Sequence, residues 1–130
     1  MITATQLVAH LIGDYLLQSG WMANNKTKRS FPAIVHAFVY SLPFVLFFRP
    51  SLAAFLVIFG TQFVIARFRV ARFLAYFKEF LSPASEWKSW KDCNGTGLHK
   101  DTPPFLAVWL LIIIDNLMHI IINGLALMYL

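Results

Sequence analysis

Charge is scarce in this chain. Of its 130 residues only 13% are Asp, Glu, Lys or Arg, against about 25% in a typical soluble domain. So few charges leave too little polar surface to cover a water-soluble globule of this size. Cysteine occurs once, at Cys93, which excludes an intramolecular disulfide framework. The opening stretch MITATQLVAHLIGDYLLQ lacks both a basic leading region and a small-residue cleavage site. It therefore reads as a retained first helix and not as a removed signal peptide. Low-complexity tracts and ordinary repeats are also missing.

What is present is apolar and aromatic: 58% of the residues are hydrophobic, with 13 Phe, 4 Tyr and 4 Trp. This composition suits lipid contact and interfacial anchoring. The expected fold is all-α: one domain over residues 1–130, a compact bundle of four transmembrane helices at about 2–20, 32–48, 51–81 and 104–129. The first and fourth segments carry a single charge each, Asp14 and Asp115. Pro32 suits a first helical turn. The third segment is too long for one span. As a continuous helix it would reach about 45 Å, against roughly 30 Å of hydrocarbon. Its second half carries Arg67, Arg69, Arg72 and Lys78 among aromatic residues, so it is expected to bend along, or leave, the cytoplasmic surface.

The net charge of +5 is unevenly placed, with basic residues clustered at 26–29 and from 67 to 100. Cytoplasmic flanks of membrane helices account for these clusters better than nucleic-acid binding does. Basic loops stay inside, so both termini are expected outside and the bilayer is the expected partner. Arg67, Arg69 and Arg72 are candidate contacts for phosphate or lipid headgroups, with Arg67 also a candidate partner for a buried carboxylate.

Spacing of four places Gln6, His10, Asp14 and Gln18 on one face of the first helix. The same spacing aligns Asp115, His119 and Asn123 on the fourth, and His36 and Tyr40 on the second. Lipid offers these groups no hydrogen-bond partner, so the stripes should face one another inside the bundle. His10, Asp14, His36, Asp115 and His119 are then candidate ligands for one divalent metal: zinc, iron or manganese. Asp14 or Asp115 would be the general base. The same residues are also the ingredients of a proton relay, or of polar packing that only fixes helix register. Cys93 and His99 are too few for a surface zinc site. The Asn94-Gly95-Thr96-Gly97 run lacks the companions of a phosphate loop and reads as a turn.

The segments AHLIGDYLLQSGWMANNK, VHAFVYSLPF, RFRVARFLAYF and PPFLAVWLLIIIDNLMHIIING resemble an uncharacterised bacterial and phage membrane-protein family, "domain of unknown function 3307". The resemblance implies a phage or prophage product of the bacterial inner membrane. The pattern is also similar to membrane proteins described as metal-dependent hydrolases, which would make the five His and Asp residues metal-site candidates. Where such relatives are expected to carry a His and an Asp in the third helix, this chain has Gln62 and Ala66, which removes two potential ligands. The functional expectation is accordingly double. One reading is a hydrolase-like metal site acting on a membrane-associated substrate. The other is a non-catalytic protein that binds another membrane protein or a second copy of itself. Proton or ion handling is the further alternative.

Overall fold

The computed structural model describes all 130 residues. It is all-α, with no strand, as the composition predicts. Helix α1 (Ala4–Leu11) begins where the Thr3 hydroxyl accepts the Gln6 amide proton, one of the orphan donors of a helix start. At Ile12 it passes into a π-helical turn through Leu16, closed by the Leu17 amide on the Ile12 carbonyl at 2.9 Å. A second cap, Ser19, starts the short α2 (Gly20–Asn25). The predicted helix at 2–20 is thus interrupted. Ala4–Leu16 reaches only about 20 Å at ~1.5 Å per residue, short of a full span.

Helix α3 (Ser30–Phe48) carries Pro32 in its first turn, as expected, and ends at Arg49 with a left-handed φ of 46°. Pro50 follows and cannot continue the helix. Helix α4 (Leu52–Phe68) stops at Arg69, the second left-handed residue, with φ 52°. The remainder of the predicted third segment forms α5 (Ala71–Phe77) and a 3-10 turn, Lys78–Leu81. The short α6 (Trp90–Cys93) lies in the long connection, and α7 (Pro104–Tyr129) closes the chain. Helices α3 and α7 are each long and apolar enough to cross a membrane. A third span exists if Leu52–Phe68 and Ala71–Leu81 are taken as one broken crossing. The structure therefore supports two to three candidate spans, with membrane association the consequence, where four were expected.

The chain forms two compact units: Met1–Phe68 with Met118–Leu130, and Arg69–Leu117. In the first unit, α3 is the central helix, packed on α1, the π turn, α2 and α4. Its apolar core joins Tyr40 and Phe44 to Ala9, Ala54, Ile58 and Ala126. Small and polar residues point inward, while Leu46 and Leu52, each 74% exposed, point out. That inverts the pattern of a water-soluble bundle and suits a hydrocarbon solvent. Gly13 permits the closest approach. A Cβ there would lie 2.7 Å from the Tyr40 carbonyl oxygen and 2.8 Å from its ring, so the π turn rests directly on α3.

The second unit is organised by arginine and aromatic contacts. Phe73 and Trp90 stack at 5.0 Å, and the Arg72 guanidinium lies 4.9 Å over Phe73 and 5.6 Å over Trp90. Arg69 donates to the Gly95 carbonyl at 2.6 Å and Arg72 to that of Asn94 at 2.9 Å. Gly97, at φ +87°, sits so close to the Arg72 carbonyl and Ala75 that a side chain could not fit. The Asn94–Gly97 run is the turn predicted for it, clamped onto α5.

Candidate functional site

Eight polar side chains are buried, and all eight lie in the first unit: Gln6, His10, Asp14, His36, Ser41, Gln62, His119 and Asn123. Most of them meet around Asp14, which the π turn carries. An extra residue per turn shifts the face of everything that follows it, and π turns recur at functional sites. Here the turn brings the Asp14 carboxylate to α3. His36 Nε2 lies 3.3 Å from Asp14 Oδ1, and His10 Nε2 lies 3.9 Å from Oδ2. Gln62 of α4 completes the group. Its amide nitrogen is 2.8 Å from His36 Nε2 and donates to Asp14 Oδ1 at 3.4 Å.

A second branch runs from His10 along α3. His10 Nδ1 is 2.7 Å from the Tyr40 hydroxyl, and Asn123 Nδ2 donates to that hydroxyl at 2.6 Å. With Tyr40 accepting from Asn123, its own proton can be offered to His10 Nδ1. The remaining imidazole proton then sits on Nε2, facing Asp14. Bonds to one ring nitrogen of a histidine set the role of the other. His119 packs its ring 6.0 Å from that of His10 and 5.8 Å from that of Tyr40. Gln6 anchors α1 to α7 by donating to the Ile120 carbonyl at 2.6 Å.

The end of the cluster toward the first basic loop is closed by Lys26. Its ammonium donates to Gln18 Oε1 at 2.6 Å and stands 3.3 Å from His36 Nε2. Sequence reasoning assigned Lys26 to a cytoplasmic loop and missed this role. The signal was present in the placement of Lys26 ten residues before His36, across a short polar connection. Gln62 was read as a lost ligand, yet it is the residue that bridges His36 and Asp14.

Three buried atoms of the network have no hydrogen-bond partner within the chain: His36 Nδ1, Gln62 Oε1 and Asn123 Oδ1. A partner for each must come from outside the chain, since a buried polar atom left unmet costs roughly 1–3 kcal/mol.

The structure brings His10, Asp14, His36 and His119 into one buried cluster. Asp115 is half-buried on α7, one turn before His119. No three His, Cys, Asp or Glu residues are arranged to hold a metal ion. His36 Nε2 in particular is already engaged by Gln62 and Lys26. The arginines are likewise engaged with backbone: Arg67 donates to the Thr27 carbonyl at 2.9 Å, beside the two pairings of Arg69 and Arg72 given above. At Cys93, burial pushes the thiol up, away from the thiolate form that binds metal. Asp92 beside it is held below the usual carboxylate range by the Ser89 hydroxyl, with Lys100 adding to the effect.

These features define a class: an all-α protein with helices of membrane-crossing length and a buried His–Asp–Tyr–amide network. The chain belongs to the family described as "Protein of unknown function (DUF3307)", whose model matches residues 2–130. No curated protein and no solved structure matches it.

Proposed function

We propose that this chain is an integral membrane protein whose buried network binds and releases a proton, entered from the Lys26 end. The observation that carries this reading is the pair of imidazoles on opposite oxygens of one carboxylate, at 3.3 and 3.9 Å. His36 Nε2 faces two kinds of partner. With Gln62 and Lys26 donating to it, the ring carries its proton on Nδ1. A proton arriving from solution at Nε2 displaces those donors and is held by Asp14 Oδ1 instead. It returns to solution when they re-form. The three orphaned polar atoms favour this over passive packing, because a network retained only as glue gains nothing from unsatisfied groups.

On this reading the α1–π–α2 segment enters the bilayer as a fourth, broken crossing. The basic loops face the cytoplasm of a bacterial inner membrane, and both termini lie outside, as lysine and arginine counts imply.

A divalent metal is the competing reading. It has one observation in its favour, the convergence of two imidazoles on Asp14. As placed, the donors do not fit: Gln62 and Lys26 occupy His36 Nε2, and no three His, Cys, Asp or Glu side chains are arranged around one point. No hydrolytic step is derived for that reason. Elemental analysis of protein purified without chelators separates the two, since near-stoichiometric zinc, iron or manganese would favour the metal. The proton reading is tested by infrared difference spectra of the protein in nanodiscs between acid and neutral pH. A carboxyl band that vanishes in D14N, with imidazole bands that vanish in H36Q, supports it. Spectra without any Asp14-dependent band overturn it.

A further inference from the structure

The second unit holds a feature the proton network does not use. Helix α5 buries its alanines, Ala71 and Ala75, and turns its large apolar residues outward. Phe77 is 69% exposed, Phe80 58%, Leu81 77% and Trp87 55%. A face of this kind is unfavourable in water and needs an apolar neighbour. Between these residues lies a cleft of about 210 Å3, lined by Tyr76, Phe77, Glu79, Phe80, Trp87 and Lys88.

Charge in this unit is paired selectively. Lys78 is neutralised by Glu79 at 2.9 Å and Lys100 by Asp92 at 3.5 Å. Lys88 and Lys91 are exposed and form no ion pair. Arg69 and Arg72 are bonded to neutral carbonyls, so their charge is uncompensated. Against these four cations the unit sets Glu86, Asp101 and Asp115, which leaves it with an excess of positive charge. Apolar walls with the free ammonium of Lys88 in the lining, and that of Lys91 three residues on, match one chemistry, a phosphate diester joined to hydrocarbon. Aromatic residues beside lysine at the end of a span are where headgroups meet acyl chains.

We propose that the Tyr76–Lys91 face binds an anionic phospholipid. Lys88 and Lys91 take the phosphate, and Phe77, Phe80 and Trp87 take the start of the acyl chains. The site uses none of the residues of the proton network.

The test is native mass spectrometry of the full chain released from detergent, with phosphatidylglycerol and phosphatidylcholine supplied separately and as an equal mixture. Phosphatidylglycerol should be retained in preference. The preference should fall about fivefold for each lysine removed, and so nearly vanish in K88Q/K91Q. Both lysines are exposed, so unchanged helix content by circular dichroism shows that the variant is folded. F77S/F80S should lower retention of both lipids. Equal retention by the natural chain overturns the proposal. So does a preference undiminished in K88Q/K91Q, or retention undiminished in F77S/F80S.

Discussion

His36 Nε2 lies 3.3 Å from Asp14 Oδ1, with His36 fully buried and Asp14 nearly so. One comes from the middle of a regular helix and the other from a π turn. Neither could be left alone in hydrocarbon, since an isolated charge there has no compensating partner. Removing one member should therefore cost more than replacing it with a group of similar shape. H36A leaves the carboxylate without its imidazole and should destabilise the protein by about 3 kcal/mol. D14N retains the amide-compatible shape and should cost clearly less. Thermal melts in detergent compare the two, and equal losses would argue that the pair does not interact.

Tyr40 joins α1 to α7 through one hydroxyl, bonded to both His10 and Asn123. Y40F keeps the ring in the core and removes only that oxygen. The expected loss is roughly 1–3 kcal/mol, because Asn123 Nδ2 is left buried without its acceptor. Adding N123L should recover part of that loss, since removing both partners costs less than stranding one. A double variant no more stable than Y40F would count against the bond.

Gly13 is predicted to be intolerant for a reason of space. Its φ is not left-handed, but a Cβ would press on the Tyr40 carbonyl at 2.7 Å. G13A should destabilise by about 1–3 kcal/mol and push Asp14 away from His36, so the Asp14-dependent infrared band should shift as well. G20A, where nothing lies within 4 Å, is the control and should change neither.

Gly97 combines a left-handed φ of +87° with contact against the Arg72 carbonyl. G97A should loosen the Asn94–Gly97 turn from α5 and expose Trp90, read as a red shift in tryptophan emission. The first unit lacks this turn, so the Asp14 band should persist. Loss of both signals together would mean that G97A unfolds the chain as a whole and does not act on this turn alone.

Acidification should act on the same turn. The Asp92 carboxyl is held below the ordinary carboxylate range by Ser89, so its folded form favours the ionised state. That contribution is fully present above the ordinary carboxylate range and is lost as pH falls through the depressed value. S89A should weaken the pH dependence, measured by Trp90 emission, with Lys100 sustaining the remainder. An identical acid profile in S89A would show that Asp92 is not the responsive group.

Much of this was legible beforehand, for identifiable reasons. The long apolar segments at 32–48 and 104–129, the second with Asp115 as its single charge, became α3 and α7 almost as expected, because hydrocarbon length dominates there. The first segment was overdrawn, since neither the π turn at Ile12–Leu16 nor the Ser19 cap breaks the apolar composition. The i, i+4 stripe correctly gathered Gln6, His10 and Asp14. Gln18, beyond the π turn, reaches the cluster through Lys26. The arginines could not be placed from sequence, because their partners are backbone carbonyls of Thr27, Asn94 and Gly95, and every residue has a carbonyl. Gln62 was undervalued because a ligand count ignores amides that bridge.

The most direct measurement is the nitrogen chemical shift of the His36 ring in protein held in bilayers, recorded from acid to neutral pH in the natural chain and in D14N. The account predicts that Nε2 changes from a hydrogen-bond acceptor to a protonated donor on acidification, and that D14N alters this response. A His36 ring whose nitrogens stay constant across the range, or respond identically without the Asp14 charge, would contradict it.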